Sequence, residues 1–142
     1  MSDKEAVLVV DADDDEIDAV TGFIDDLLED IPFAPEARAQ LDIAVEEIFV
    51  NISCYAYGEG TGQVTVRGSV TAKPPHTVTL AFEDGGKAFN PLERKPPDLS
   101  PDVRRHQVGG LGIFLARSMS DAIAYERREG KNVLTIKKNL AQ

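Results

Sequence analysis

The stretch Val108-Gly109-Gly110-Leu111-Gly112-Ile113-Phe114-Leu115 places three glycines directly before an apolar, helix-like pattern. The amino end of a helix has unpaired N–H groups and the positive end of a dipole, and glycine lets a ligand approach the backbone without a Cβ in the way. The stretch therefore predicts a phosphate-binding turn that opens a helix. For these residues taken alone, a tight connection without a ligand is the alternative.

A helix predicted from about Pro35 to Tyr57 is apolar on several faces, as expected for a largely buried helix. Glu47 and Asn51 lie four residues apart in it, so they project from the same face. A carboxylate and an amide held together can bind a hydrated metal ion or orient a nucleophile. The alternative is that the two residues are simply a polar pair on the solvent-exposed side of the helix.

A predicted hairpin, with strands over 63–71 and 77–82, leads into Asp84-Gly85-Gly86. Asp84 can accept a hydrogen bond from an exocyclic amine, and Gly86 can let a flat ring approach the backbone. A plain turn explains Asp-Gly-Gly equally well. Residues 90–108 contain four prolines and little periodicity, which predicts a functional loop between this turn and the glycine-rich stretch.

The remaining elements complete one predicted domain over 1–142. A β-branched run at 6–10 predicts a buried strand, and apolar residues at three- and four-residue steps from Ile17 to Ile31 predict an amphipathic helix. A short helix follows the glycines, and strands are expected at 122–125 and 133–136 around a turn at 129–131. No repeat or second-domain linker is evident in the sequence.

The composition argues against a disulfide-bonded, metal-binding or membrane-inserted protein. The single Cys54 excludes an internal disulfide, and two scattered histidines offer little metal-binding capacity. The sequence contains no signal-peptide pattern and no apolar run long enough to span a bilayer, so we expect a cytoplasmic protein with no membrane partner.

The acidic residues are concentrated near the amino terminus. Residues 1–30 hold 12 acidic and one basic residue, whereas the rest of the chain holds 13 and 14. We therefore expect no direct nucleic-acid partner, because proteins that bind nucleic acid present basic surfaces. The acidic face of the first helix is either a solvated surface or a docking surface for a basic protein, formed by Asp25, Asp26, Glu29 and Asp30.

Three motifs together resemble the ATP-binding boxes of the GHKL superfamily, and they occur in the family's order. They are Glu47-x-x-x-Asn51, Asp84-x-Gly86-x-x-Phe89-Asn90-Pro91 and Gly109-Gly110-Leu111-Gly112-Ile113-Phe114. The small size, the short loop and the Phe-Asn-Pro ending most resemble the anti-sigma-factor serine kinases of bacterial partner-switching systems. The resemblance covers nearly the whole chain. It implies an α+β Bergerat fold, a two-layer α/β sandwich whose mixed, mostly antiparallel sheet is covered on one face by helices.

The resemblance also implies roles for individual residues. Glu47 would be the catalytic base, and Asn51 would coordinate the Mg²⁺ that bridges the phosphates of ATP or ADP. Asp84 would receive the adenine amino group beside Gly86. The other residues implied to bind the nucleotide are Phe89, Gly109, Gly110, Leu111, Gly112 and Ile113. The segment 90–108 would be a lid, from which Arg104 or Arg105 would reach the γ-phosphate.

The function implied is an ATP-dependent serine/threonine protein kinase that binds a sigma factor and phosphorylates a small antagonist protein, with a homodimer as the expected assembly. A nucleotide-gated binding module without appreciable kinase activity is the alternative. Two departures from the family pattern stand out. Tyr55 replaces a histidine that many relatives carry, and Gly130-Lys131-Asn132 replaces a Gly-Thr step, which puts an adenine contact from that strand in doubt.

Overall fold

A computed structural model describes residues 3–57, 60–93 and 110–141, with only the backbone described at 110 and 111. Within these ranges, five strands form one sheet and three α-helices accompany it. The strands are β1 (Lys4–Asp11), β2 (Gln63–Val70), β3 (Thr77–Asp84), β4 (Ala122–Arg128) and β5 (Lys131–Asn139). The helices are α1 (Ile17–Leu27), α2 (Pro35–Tyr55) and α3 (Gly110–Met119).

The sheet order is β1-β2-β3-β5-β4, and all four neighbouring pairs are antiparallel. The α+β fold with helices on one face is therefore confirmed, and the described sheet is antiparallel throughout rather than mixed. β5 lies between β3 and β4, so the last hairpin joins the sheet next to the end of β3. This order places Asp84 of β3 directly opposite Asn132 of β5.

Alternation along the strands creates the core. In β2 and β3 every second residue is buried against the helices, including Val66, Leu80 and Phe82. The other face of the sheet is not covered by the described helices, and on β1 it leaves Val7 54 % and Val9 52 % exposed. The described part of the chain is thus a two-layer arrangement in which no helix covers the second face of the sheet.

The helices differ from the sequence expectation mainly at their ends. The acidic residues Asp14–Glu16 form a separate 3₁₀ turn, which begins where the Asp13 carboxylate accepts a hydrogen bond from Asp15 N. α1 ends at Leu27 because the chain turns there, although Leu28 stays buried. α2 begins with Pro35 in its first turn, a position that does not need the missing N–H.

α2 is the helix that positions the candidate site. Its buried residues lie on several sides, so it packs against the sheet and also against α3. Phe49 and Ile48 are fully buried, and Ala56 just beyond its end joins the same core. No helix within the described part of the chain is long and apolar enough to cross a membrane.

Candidate functional site

Glu47 lies on the side of α2 that meets α3. A Cβ added at Gly112 would come to 2.5 Å from Glu47 Oε2, so glycine at this position leaves room for the carboxylate. The structure thus brings together the first and the last of the three predicted motifs. These two motifs lie on α2 and α3, and the contact between the two helices fixes the relative position of the motifs.

The Glu47 carboxyl has a shifted pKa. Burial raises the pKa above the ordinary value for glutamate, and the neighbouring Glu46 carboxylate raises it further. Removing water disfavours the charged form, and a nearby like charge acts in the same direction. A carboxyl with a raised pKa is a stronger base once it is ionised, which suits proton abstraction near neutral pH.

Asn51, one turn further along α2, is buried and leaves a hydrogen-bond donor unpaired among the described residues. It is only 6 % exposed, and its Nδ2 has no hydrogen-bond partner among the described residues. An unpaired buried polar atom costs about 1–3 kcal/mol, so it is rarely retained without a ligand or an ordered water. Asn51 lines the same pocket as Asp84, and this arrangement fits a side chain whose partner is a ligand.

Asp84 closes the other end of the pocket. It is the last residue of β3 and is only 5 % exposed. Its Oδ1 accepts hydrogen bonds from Gly86 N at 3.0 Å and from Asn132 Nδ2 at 2.9 Å. The carboxylate is therefore held firmly at the strand end, where it faces the pocket interior.

Asn132 is a pocket residue that the sequence analysis missed. Its side chain contacts Asp84 and also binds Lys87 O, Phe89 N and the Tyr125 hydroxyl. The sequence put an adenine contact from this strand in doubt because the expected Gly-Thr step is absent. A signal was present nevertheless, since Asn132 continues the inward positions of Leu134 and Ile136 and a buried polar side chain there needs partners.

Gly86 has a structural role that the sequence analysis did not foresee. A Cβ at this position would collide with the carbonyl group of Ala56, just past the end of α2. Lys87 N donates to that same carbonyl oxygen at 3.1 Å, and Arg127 binds Gly86 O at 2.9 Å. The close approach is thus between two segments of this chain, while an approach of a flat ring to Gly86 remains a prediction.

Two aromatic rings form a wall of the pocket. Tyr55, the first of the two departures from the family pattern noted above, stacks on Phe89 with the ring centroids 6.3 Å apart. Both rings line the pocket. This contact links the end of α2 to the segment after Asp84, so Tyr55 serves a packing role that a histidine would fill with less apolar surface.

The described residues line a small cleft that is partly open to solvent. Its apolar wall comes from α2, from the segment after β3 and from β4 and β5, whereas its polar groups are two amides, a carboxylate and two tyrosine hydroxyls. The lining consists of Asn51, Ile52, Tyr55, Ala56, Asp84, Phe89, Pro91, Tyr125, Asn132 and Leu134. An apolar cleft with a few convergent polar groups is typical of a site for a flat heterocyclic ligand.

The glycine-rich stretch is only partly described. Gly109, Arg104, Arg105 and most of the predicted lid lie outside the described residues. α3 begins at Gly110, so the predicted short helix is present, but Gly110 and Gly112 lie within its first turn rather than before it. The Ile113 side chain is buried in the hydrophobic core, which leaves its backbone as the part available to a ligand.

The residues present suit a magnesium ion that arrives with phosphates. Within the described ranges, no cluster of three or more His, Cys, Asp or Glu side chains is arranged to hold a metal ion. Mg²⁺ usually keeps several waters and takes one or two protein oxygens together with substrate phosphates. The amide oxygen of Asn51 can supply one of these protein ligands.

Comparison with known proteins decides the family. A model of the histidine kinase-like ATPase domain matches residues 10–138 of this chain. The chain belongs to the histidine kinase-like ATPase family. The resemblance inferred from the three motifs is thereby confirmed, and the matched range includes both sides of the pocket. An anionic nucleotide is the ligand class that this family name indicates.

Individual relatives of this histidine kinase-like ATPase are named kinases. It is 30% identical over 102 residues to the serine/threonine-protein kinase BtrW of Bordetella bronchiseptica, covering 70% of this chain and 68% of that one. It is 31% identical over 110 residues to the serine-protein kinase RsbW of Listeria monocytogenes, covering 74% and 68%. These similarities support a kinase-like ATPase.

A solved structure supports the fold. The RsbU and RsbW domains of Rv1364c from Mycobacterium tuberculosis match with a TM-score of 0.66 at 14% sequence identity. The match covers 98% of this histidine kinase-like ATPase and 33% of the solved chain. The match extends over nearly all of the two-layer arrangement described above. At this sequence identity it supports the fold alone.

Proposed function

We propose that this protein is an ATP- and Mg²⁺-dependent serine/threonine protein kinase that acts as an anti-sigma regulatory factor. In this function it binds a sigma factor and phosphorylates a small antagonist protein. One observation carries the proposal: half-buried Glu47 lies one helical turn before Asn51, whose Nδ2 is unpaired among the described residues and which lines a pocket that ends at Asp84. The named kinases BtrW and RsbW support the reaction class.

The pocket would orient the nucleotide. Asp84 accepts a hydrogen bond from the adenine amino group, and the apolar wall with Tyr55 and Phe89 holds the ring. Asn51 supplies an amide oxygen at the phosphate end, with the first N–H groups of α3 nearby. Bound Mg²⁺ neutralises charge on the phosphates during transfer.

Glu47 then serves as the general base. Its carboxylate takes the proton of a serine or threonine hydroxyl as that oxygen bonds to the γ-phosphorus and the bond to the β-phosphate oxygen breaks. ADP leaves, and the phosphoryl group remains on the protein substrate. Because the transition state involves little covalent help from the enzyme, the main contributions are positioning and charge neutralisation.

A phosphotransfer assay tests the proposal. Untagged protein is purified with its partners from the source cells and incubated with radiolabelled ATP and Mg²⁺. We expect Glu47→Gln to keep ATP affinity within about threefold while transfer falls by about 100-fold or more, because general-base catalysis contributes that much. Glu46→Gln is the matched control, since it removes a carboxylate from the exposed neighbouring position and retains transfer.

The outcomes separate the alternatives. Wild-type protein that binds ATP but transfers no label to any partner would make the protein a nucleotide-gated binding module. Transfer by Glu47→Gln at the wild-type rate would remove Glu47 from the base role. We expect Glu47→Gln to have a melting temperature at or above that of the wild type at neutral pH, because it replaces a half-buried charge by a neutral amide.

A further inference from the structure

The Asn132 side chain uses its full hydrogen-bonding capacity inside the pocket. Nδ2 donates to Asp84 Oδ1 at 2.9 Å and to Lys87 O at 2.8 Å, while Oδ1 accepts from Phe89 N and from the Tyr125 hydroxyl. An asparagine amide has two N–H donors and two acceptor sites, so none is left over. Rotating the amide by half a turn would set its oxygen against two acceptors, which fixes its orientation.

These contacts hold one segment at three points. Asp84, Lys87 and Phe89 are all bonded to the one amide, so the turn between β3 and the Phe89 ring is anchored to β5. The anchor is rigid because Asp84 and Asn132 are directly paired residues of adjacent strands. The separation of the two side chains is therefore set by the spacing of the sheet.

The anchoring determines which part of Asp84 meets a ligand. Gly86 N and Asn132 Nδ2 both bind Oδ1, and Oδ2 accepts no hydrogen bond within the described part of the chain. Asp84 lines the pocket, so Oδ2 is the oxygen available there. An ionised carboxylate is an acceptor only, and it therefore attracts an N–H donor and repels a carbonyl oxygen.

We infer that Asn132 is the positioning residue for base selection: by occupying Asp84 Oδ1 it aims Oδ2 at the ligand, so the site prefers a purine with a 6-amino group over one with a 6-carbonyl group. This inference rests on the proposed binding of adenine nucleotides. Asn132 acts through Asp84, and the residue that touches the base is Asp84.

The test compares ATP with inosine triphosphate, which carries a carbonyl oxygen in place of the amino group. Calorimetric titration of the full chain with each nucleotide in the presence of Mg²⁺ gives two dissociation constants per variant. We expect wild type to prefer ATP by at least about tenfold, since a site built around one donor rejects its replacement strongly. Asn132→Leu should weaken ATP binding by about tenfold and inosine triphosphate binding by less than about threefold.

The ratio of the two constants separates positioning from general damage. If Asn132→Leu weakens both nucleotides by the same factor, the inference is overturned while the proposed function stands. If wild type binds neither nucleotide, the proposed function fails. Asn139→Leu is the matched control, because Asn139 lies at the other end of β5 and its Oδ1 binds only Ala141 N among the described residues.

A second variant decides the matter if Asn132→Leu does not fold. Tyr125→Phe removes one donor to Asn132 Oδ1 and keeps the ring, so the preference for ATP should fall by about two- to threefold. An unchanged preference in that variant would overturn the inference.

The anchor can also be measured without any nucleotide. In wild type the Phe89 amide is protected by its bond to Asn132, and hydrogen exchange at this amide should accelerate by about tenfold in Asn132→Leu. Equal exchange in the two proteins would contradict the anchoring role even where ATP binding is intact. Faster exchange confined to the 84–89 turn would support it.

Discussion

Glu47 and its neighbour Glu46 differ in surroundings although they are adjacent. Glu47 is half-buried against Gly112, whereas Glu46 is exposed on the outside of α2. Burial is the larger cause of the raised pKa of Glu47, and the charge of Glu46 adds to it. The exposed residue therefore tunes the buried one without touching the pocket.

The pH dependence of phosphotransfer should reveal this tuning. A base acts only when ionised, so activity falls as the pH drops through the pKa of Glu47, which lies above the ordinary glutamate range. Glu46→Gln lowers that pKa and should move the acid limb of the rate profile to lower pH. Initial transfer rates across the acid range measure the shift.

An acidic residue further along the same helix provides the control for this measurement. Glu36→Gln removes an exposed carboxylate from the first turn of α2, about three turns before Glu47, and should leave the limb in place. An acid limb that is the same in wild type and Glu46→Gln would contradict the coupling of the two carboxyl groups.

Among the helices, the contact between α2 and α3 determines where the Glu47 carboxylate lies. Gly112→Ala places a methyl group against the flexible end of Glu47, so the carboxylate has to move aside while the backbone stays in place. We expect the variant to fold normally and to lose transfer by about tenfold or more, because small displacements of reacting groups are costly. Transfer rate, ATP affinity and melting temperature are measured together.

Gly22→Ala in α1 is the matched glycine substitution. Nothing lies within 4 Å of a Cβ added there, so the variant should gain about 0.5–1 kcal/mol of stability and keep its activity. Full transfer activity in Gly112→Ala would show that the helix contact does not position Glu47.

The elements themselves could largely be predicted from the sequence. Alternation located β2 and β3, a β-branched run located β1, and the apolar pattern with Pro35 located α2, because these signals are local. The expectation that β1 is buried was wrong, because it lies at the edge of the sheet with Val7 and Val9 exposed. The partners of Asp84 and Gly86 could not be predicted in this way. Asn132 lies 48 residues from Asp84 in the chain, and Ala56 at the end of α2 contacts Gly86 after β3, so both contacts depend on tertiary packing rather than on neighbouring residues.

At the scale of the whole molecule, the acidic residues near the amino terminus are not equivalent. Asp25 is already engaged, since its carboxylate binds the Arg38 guanidinium at 2.5 Å. Glu29 and Asp30 are exposed beyond the end of α1. A test of the acidic face as a docking surface therefore needs to leave Asp25 unchanged, because altering it would also break the link between α1 and α2.

Charge reversal at Glu29 and Asp30 provides that test. If the acidic face attracts a basic partner, the double Lys variant should associate about tenfold more slowly at low salt and should show a weaker salt dependence. Stopped-flow mixing with the partner recovered by co-purification measures both. Glu126→Lys with Glu129→Lys makes the same change in net charge at the β4–β5 hairpin and should have a smaller effect; equal effects would leave the acidic face as a solvated surface.

The position of β5 within the sheet has a consequence for biosynthesis. β5 follows every other described strand in the chain, yet it lies between β3 and β4 and contributes Asn132 and Leu134 to the pocket. A growing chain on the ribosome therefore carries Glu47, Asn51 and Asp84 long before the pocket can close. If the pocket binds a nucleotide as proposed, binding would follow the emergence and pairing of residues 131–139, because Asn132 and Leu134 belong to its described lining.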